Sequence, residues 1–192
     1  MLVDDLMELI PLRDITKQRI EDLDQEFLER LIKLLSAMPP RLLRRLTIGS
    51  AKRYPEEQER AWQAYQGGYG GLAARPGTSR HEFGEAVDFW PAVGMAYNPN
   101  NRRYRQSLKW LYENAPRFGI RGLSTIDGKG KMHHNVKDLI HFQKMTIGEW
   151  QRAEPNEEQE YPENVDLTQE PDLPWWDRAL DRLANWWLPW WK

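Results

Sequence analysis

Apolar residues recur at helical spacing over residues 24–37, where Phe27, Leu28, Leu31, Ile32, Leu34 and Leu35 fall on one stripe. With Asp24 as N-cap, this predicts an amphipathic helix that Pro39-Pro40 ends. The short apolar run Leu46-Thr47-Ile48 predicts a strand leading into Gly49-Ser50. A second helix is expected to start at Pro55, with Glu56 and Glu57 suited to the positive end of its dipole, and to stop at Gly67-Gly68. A glycine-rich loop (67–71) and the turn residues Arg75-Pro76-Gly77-Thr78 follow, and residues 84–90 suit a strand. A third helix is predicted over about 102–115 from the stripe Tyr104, Leu108, Leu111 and Ala115. Asp127-Gly128 reads as a hairpin turn and Leu139–Phe142 as a last short strand.

The pattern changes after Trp150. Residues 151–174 carry eight acidic residues interleaved with Pro155, Pro162, Pro171 and Pro174, the composition of a linker. Residues 175–192 then hold six of the ten tryptophans, and Trp176, Ala179, Leu180, Leu183, Trp187 and Leu188 share a helical face. The expected plan is an α+β domain over 1–150, a linker over 151–174 and a Trp-rich amphipathic helical tail over 175–192. Such a tail suits docking on the domain itself, an oligomer contact, or a membrane or envelope interface; its flanking charges cancel, which weighs against anionic lipid.

Composition narrows the function classes. The 192 residues are 40% hydrophobic and 29% charged, enough for a real core, and the formal charge is −2. That balance supplies no global attraction for nucleic acid. There is no cysteine, so thiol catalysis, disulfide scaffolds and zinc fingers are excluded, and a metal site must use His, Asp and Glu. No stretch is apolar enough to span a bilayer, and the N-terminus lacks a basic region followed by an apolar run. Synthesis in the cytoplasm without a signal peptide is therefore the expectation.

The four histidines locate the chemistry. Were 84–89 extended, Gly84, Ala86 and Asp88 would share one face, with little bulk beside the carboxylate, while Val87 and Phe89 pack on a core. His81 precedes that strand, where a turn can bring it toward Asp88. Asp138 and His141 add a second His and a second carboxylate. Three such ligands leave a zinc ion one open position, and a carboxylate that does not bind the metal can move protons; Asp138 is the choice for that role. Residues three apart on a regular strand face opposite ways, so Asp138 must lie before the strand or at a bulge. Taken alone, a His–Asp pair is more often a surface polar pair or a core hydrogen bond. His133 and His134 are adjacent, so at most one could face a site; hairpin or surface roles are the simpler reading. The glycines of 67–71 lack the Gly-Lys-Ser/Thr of a phosphate loop.

The full string Ser79-x-His81-x-x-Gly84-x-Ala86-x-Asp88, followed by Asp138-x-x-His141, resembles the zinc-dependent D-alanyl-D-alanine carboxypeptidases, a group of VanY-like enzymes and phage L-alanyl-D-glutamate endopeptidases that cut peptidoglycan stems. Upstream, Ser50-Ala51-Lys52-Arg53-Tyr54 keeps the Ser and Arg of the group's Ser-Gly-Tyr-Arg-Ser, and Gln58 stands at the spacing of its Gln. The resemblance covers about 45–145. Ile140 replaces a Trp usual before the second His, and Ala51 and Lys52 replace Gly and Tyr.

The resemblance implies a hedgehog/DD-peptidase-like fold, in which a small antiparallel sheet packed with flanking helices carries the zinc site. It also implies His81, Asp88 and His141 as ligands of Zn2+, Asp138 as catalytic acid/base, and Arg53 as the cation that steadies a developing oxyanion or a carboxylate. Ser79, Arg53 and Gln58 become substrate-binding candidates; for Gln58 a solvated helix position or a buried amide bonded to backbone is the competing reading. The implied substrate is a peptidoglycan stem peptide, cut as a carboxypeptidase or an endopeptidase, and a phage-type lysin fits the missing leader. The alternative is a cell-wall-binding or scaffold module that keeps the fold without turnover.

Overall fold

The structure is a computed structural model and describes residues 2–13, 15–92, 101–123, 125–126, 132–133 and 138–153. Its helices are α1 (Leu2–Leu9), α2 (Lys17–Glu21), α3 (Gln25–Ser36), α4 (Pro40–Leu43), α5 (Pro55–Gln66), α6 (Arg102–Asn114) and α7 (Ile147–Ala153), with a 3-10 turn at Ala115–Phe118. Its strands are β1 (Leu46–Ser50), β2 (Ala86–Pro91), β3 (Ile120–Gly122), β4 (Thr125–Ile126), β5 (Met132–His133) and β6 (His141–Lys144). A four-stranded antiparallel sheet runs in the order β1-β2-β6-β3, and β4 and β5 pair separately. The protein is thus α+β, a small antiparallel sheet with flanking helices. The segment Pro11–Arg13 lies along the outer edge of β1 through Arg13 N–H to Ile48 O (2.8 Å) and Ile48 N–H to Pro11 O (3.1 Å), which covers that edge.

Local chemistry explains the main elements. The Asp24 carboxylate accepts from Phe27 N–H at 2.9 Å and caps α3, whose Phe27, Leu28, Leu31, Leu34 and Leu35 are buried. Asn101 caps α6 by accepting from the N–H groups of Arg103 and Tyr104. In α5 the Glu57 carboxylate reaches back to Tyr54 N–H at 3.0 Å. Tyr104, Leu108 and Leu111 of α6 and the leucines of α3 join Leu6, Ile10, Ile48, Val87, Phe89 and Phe142 in one core. Phe142 sits at its centre, 5.4 Å from the Phe89 ring and 4.9 Å from that of Tyr112.

Three expected boundaries move. The strand expected at 84–90 starts only at Ala86, because Gly84 has φ +72° and belongs to the preceding turn. A Cβ there would lie 2.8 Å from both Asp22 O and Asp24 N, so only glycine lets the turn press against the entry to α3. The last strand is β6 rather than 139–142, because the Leu139 carbonyl is drawn to the Tyr112 hydroxyl at 2.9 Å instead of entering the ladder. Pro39-Pro40 ends α3 and also begins α4, with proline in its first turn. α7 runs to Ala153, three residues into the stretch read as linker. Asp127-Gly128, the remaining linker and the Trp-rich tail lie outside the described residues. Among the described residues, no helix is long and apolar enough to cross a membrane.

Candidate metal centre

The alternation of β2 and β6 builds the site. Val87, Phe89 and Phe142 enter the core, so Ala86, Asp88, His141 and Gln143 occupy the opposite face. In the antiparallel register Asp88 stands directly across from His141, and Ala86 from Gln143. Directly opposed residues share a face, which brings the carboxylate and the imidazole together. His81 arrives from the turn before β2. Its Nδ1 donates to the Ala51 carbonyl at 2.8 Å, and Arg53 N–H in turn donates to the His81 carbonyl at 3.1 Å. The end of β1 and the turn are thereby tied together across the site.

Hydrogen-bond partners set the tautomers. A carbonyl only accepts, so the His81 proton sits on Nδ1 and Nε2 presents a lone pair. His141 Nε2 lies 3.2 Å from Gln143 Oε1, which leaves its Nδ1 as the lone-pair atom. These two nitrogens are 3.1 Å apart, and Asp88 Oδ1 is 3.2 Å from the first and 3.3 Å from the second. Three lone pairs converging at such distances repel unless a proton or a cation stands among them. His81, Asp88 and His141 form a group that can hold a metal ion. Two imidazoles and one carboxylate, each imidazole fixed by an outer acceptor, fit zinc.

Burial and charge divide the two aspartates. Burial by itself would raise the Asp88 carboxyl, but the charge of His81 and the bonds from both imidazoles more than offset it and hold it well below the usual carboxylate range. Asp138 moves the other way: burial, then the nearby charge of Asp88, raise it. It lies three residues before β6, as its spacing required, in a segment tied down by the Tyr112–Leu139 bond and by Phe89 N–H to Ile140 O at 2.9 Å. Gly122 makes room for that tyrosine, since a Cβ there would meet its ring at 2.1 Å. Burial by itself would lower His141, but its bond to and charge attraction by Asp88 leave it raised.

A cleft of about 320 Å³ opens on this face and is lined by Arg53, Ser79, His81, Asp88, Asp138 and His141, with Leu72–Ala74, Thr78, Arg80, Leu123 and Gln143 around them. Arg53 enters it held by Gln58 Oε1 at 2.9 Å and, more loosely, by Ser50 Oγ at 3.4 Å. Gln58 was a substrate-binding candidate with a buried amide bonded to backbone as the competing reading, and the structure has the buried amide. It is fully buried, and its amide bridges Arg53 and the Ala74 carbonyl (2.7 Å), so it stands behind Arg53 and does not face the cleft. Gln58 is the buried residue of α5, and its bonds to Arg53 and to the Ala74 carbonyl hold it inward. Glu82 accepts from Gly77 N–H and Ser79 N–H and so closes the turn before His81. His133 lies on β5, opposite Thr125; His134 lies outside the described residues. Gln143 and the Ala51 carbonyl were missed, although Gln143 was readable as the residue two beyond His141 on a strand.

The profile of a family described as VanY: D-alanyl-D-alanine carboxypeptidase matches residues 20–128. No curated protein sequence matches the chain. Among solved structures, the LdcB LD-carboxypeptidase, reported for the molecular basis of peptidoglycan recognition, superposes with a TM-score of 0.53 at 16% identity, over 74% of this chain and 68% of its own. The vancomycin-resistance D,D-pentapeptidase VanY in complex with Zn(II) gives a TM-score of 0.45 at 21% identity, over 68% and 76% of the two chains. The Serratia marcescens L-Ala D-Glu endopeptidase ChiX gives 0.44 at 18%, over 72% and 92%. At these identities the likeness is one of fold, and the first of the three carries it.

Proposed function

The chain belongs to the VanY D-alanyl-D-alanine carboxypeptidase family, and from that premise we propose that it is a zinc-dependent peptidase acting on the stem peptides of peptidoglycan. The observation that carries the reading is the convergence of three lone-pair donors beside a separate, half-buried carboxylate in one cleft. His81, Asp88 and His141 would hold the zinc ion, which when bound would supply Lewis acidity toward an amide carbonyl and an attacking water.

The protein's own groups do the rest. Asp138, with its carboxyl raised by burial and by Asp88, takes a proton from the attacking water and later delivers it to the leaving amine. The Arg53 guanidinium, aimed by Gln58, donates from its planar fork to the substrate oxygen on which negative charge develops. Ser79 lines the cleft and supplies a hydroxyl to the bound peptide.

The test is to incubate the zinc-loaded protein with purified muropeptides and to weigh the products. Loss of one alanine from the end of the stem identifies a carboxypeptidase, and separation of the stem after its L-Ala identifies an endopeptidase. Unchanged muropeptides under conditions where zinc is bound would replace the peptidase with a wall-binding module of the same fold.

A further inference from the structure

Residues 61–74, the second half of α5 and the glycine-rich loop after it, carry no charged side chain in a chain of which 29% is charged. Within this stretch Trp62 and Tyr65, three apart on the helix, stand 5.7 Å apart between ring centroids. The loop folds back along α5. The N–H groups of Tyr69 and Gly70 donate to the Ala64 carbonyl at 3.2 and 2.9 Å, and Gly68 N–H donates to the Tyr65 carbonyl at 3.1 Å. Arg75 lies over the Trp62 ring at 5.9 Å, and the Gln58 amide holds the Ala74 carbonyl at the far end.

The loop is held, yet it turns apolar surface outward. Tyr69 is 79% exposed and Leu72 50%. The Tyr69 ring lies against Gly67, where a Cβ would meet it at 2.3 Å, so glycine lets the backbone support the ring while the rest of it stays open. Among the described residues the hydroxyls of Tyr65 and Tyr69 have no hydrogen-bond partner. Leu72, Ala73 and Ala74 of the same loop line the cleft. The aromatic strip is therefore continuous with the cleft wall, and the three residues from Leu72 to Tyr69 span at most about 11 Å.

Supported rings, open hydroxyls and the lack of charge define the occupant. An acidic peptide or an anionic lipid surface draws on cations, and 61–74 supplies none. A neutral sugar ring offers C–H faces that stack on aromatic rings, and hydroxyl and amide groups that bond to tyrosine hydroxyls. Rings already ordered lose little freedom on binding it. In peptidoglycan the stem is joined to an N-acetylated sugar, so such a ring arrives with the peptide. We propose that Tyr69, with Tyr65 beside it, forms a subsite for the N-acetylated sugar that carries the stem, and that this subsite makes the protein prefer glycan-linked peptide to free peptide. The proposal rests on the stem-peptide reading given above.

The experiment uses the full, zinc-loaded chain carrying Asp138→Asn, so that ligand is not consumed, and compares binding of a disaccharide-pentapeptide with that of the same pentapeptide without sugar. The sugar is expected to strengthen binding about 3- to 10-fold. Tyr69→Ala removes that gain and leaves the affinity for free pentapeptide unchanged, while Tyr69→Phe keeps most of it. A neutral tetramer of N-acetylglucosamine, which carries no peptide, binds weakly, and Tyr69→Ala abolishes that binding too. Equal affinity for the two pentapeptides, or an equal loss for both in Tyr69→Ala, overturns the subsite. So does Tyr69-dependent binding to phosphatidylcholine vesicles with no difference between the pentapeptides, which assigns the strip to lipid. Unchanged muropeptides with the sugar dependence intact remove the peptidase and leave the sugar subsite standing; turnover without sugar dependence does the opposite.

Discussion

The two faces of β2 and β6 are cut from alternate residues of the same strands and obey opposite rules. On one face Val87, Phe89 and Phe142 are fully buried in the hydrophobic core. On the other, Ala86 and Gln143, Asp88 and His141 stand opposite one another with polar atoms converging. The first face is satisfied by the chain itself. The second has its outer hydrogen bonds satisfied, at Ala51 and Gln143, while its inner atoms face one another. Burial of apolar area stabilises the first; the second is a pre-arranged set of lone pairs that something else must complete. A small protein can hold such a face only because the backbone behind it is fixed by the core on the reverse side.

The largest expected effect separates chemistry from ligation within the polar face. Asp138→Asn removes the proton acceptor without touching the three donor atoms. Turnover of a muropeptide should fall about 10²- to 10⁴-fold, with zinc affinity unchanged in a competition against a chromophoric chelator. Loss of zinc in that variant would move Asp138 into the ligand set and take the acid/base role from it. The mirror-image change on the apolar face is Phe142→Ala. It should lower unfolding free energy by roughly 3–5 kcal/mol in denaturant titrations, because the ring fills the space between Phe89 and Tyr112. A loss below about 1 kcal/mol would mean that the core does not brace the site as argued.

How much of this contrast could be read in advance depends on the range of the interaction. The capped helix at Asp24, the helix beginning at Pro55 and the alternation around Asp88 are local patterns, and the structure has them. Gly84 was visible as a fixed letter between His81 and Asp88, but its reason was not, since the backbone it must clear belongs to residues 22–24. The diversion of the Leu139 carbonyl from the ladder depends on Tyr112 in α6, and the inward turn of Gln58 on its bonds to Arg53 and the Ala74 carbonyl; neither follows from spacing. Arg19 lies on a five-residue helix with no periodic signal, so its bond to the Lys52 carbonyl at 2.9 Å emerges only from the tertiary structure. By contrast, Gln143 was within reach, because a strand places residue i+2 on the face of residue i.

Gln143 sharpens the comparison at smaller amplitude. Gln143→Leu keeps the bulk and removes the acceptor that fixes the His141 tautomer. Zinc affinity should drop about 10- to 100-fold, while unfolding of the metal-free protein changes little. Gln143→Glu, which restores an acceptor, should recover most of the affinity. A loss of stability as large as that of Phe142→Ala, with affinity following it, would make Gln143 a packing residue and dissolve the distinction between outer and inner atoms.

The smallest effect is one that only the polar face can show. In the metal-free protein the His141 imidazole is raised above its ordinary value, burial opposing and Asp88 more than compensating. A group raised on folding binds its proton more tightly in the native state, so its contribution is complete below the unfolded pKa and is lost as pH rises through the folded one. Asp88, held far below its usual range, stays ionised through that window and contributes no slope of its own. Metal-free protein should therefore lose stability as pH rises from the mildly acidic range through that of histidine, as the cationic proton that separates the three lone pairs leaves. Zinc takes the proton's place, so the zinc-loaded protein should show the reverse trend, gaining stability as deprotonated ligands become available. Thermal unfolding across that window, with and without zinc, measures both slopes. Phe142→Ala should shift the two curves down together without changing either slope, since no titrating group lies on its face. Parallel slopes for the metal-free and zinc-loaded protein would mean that the converging atoms do not share one cation, and the two faces would then differ in polarity alone.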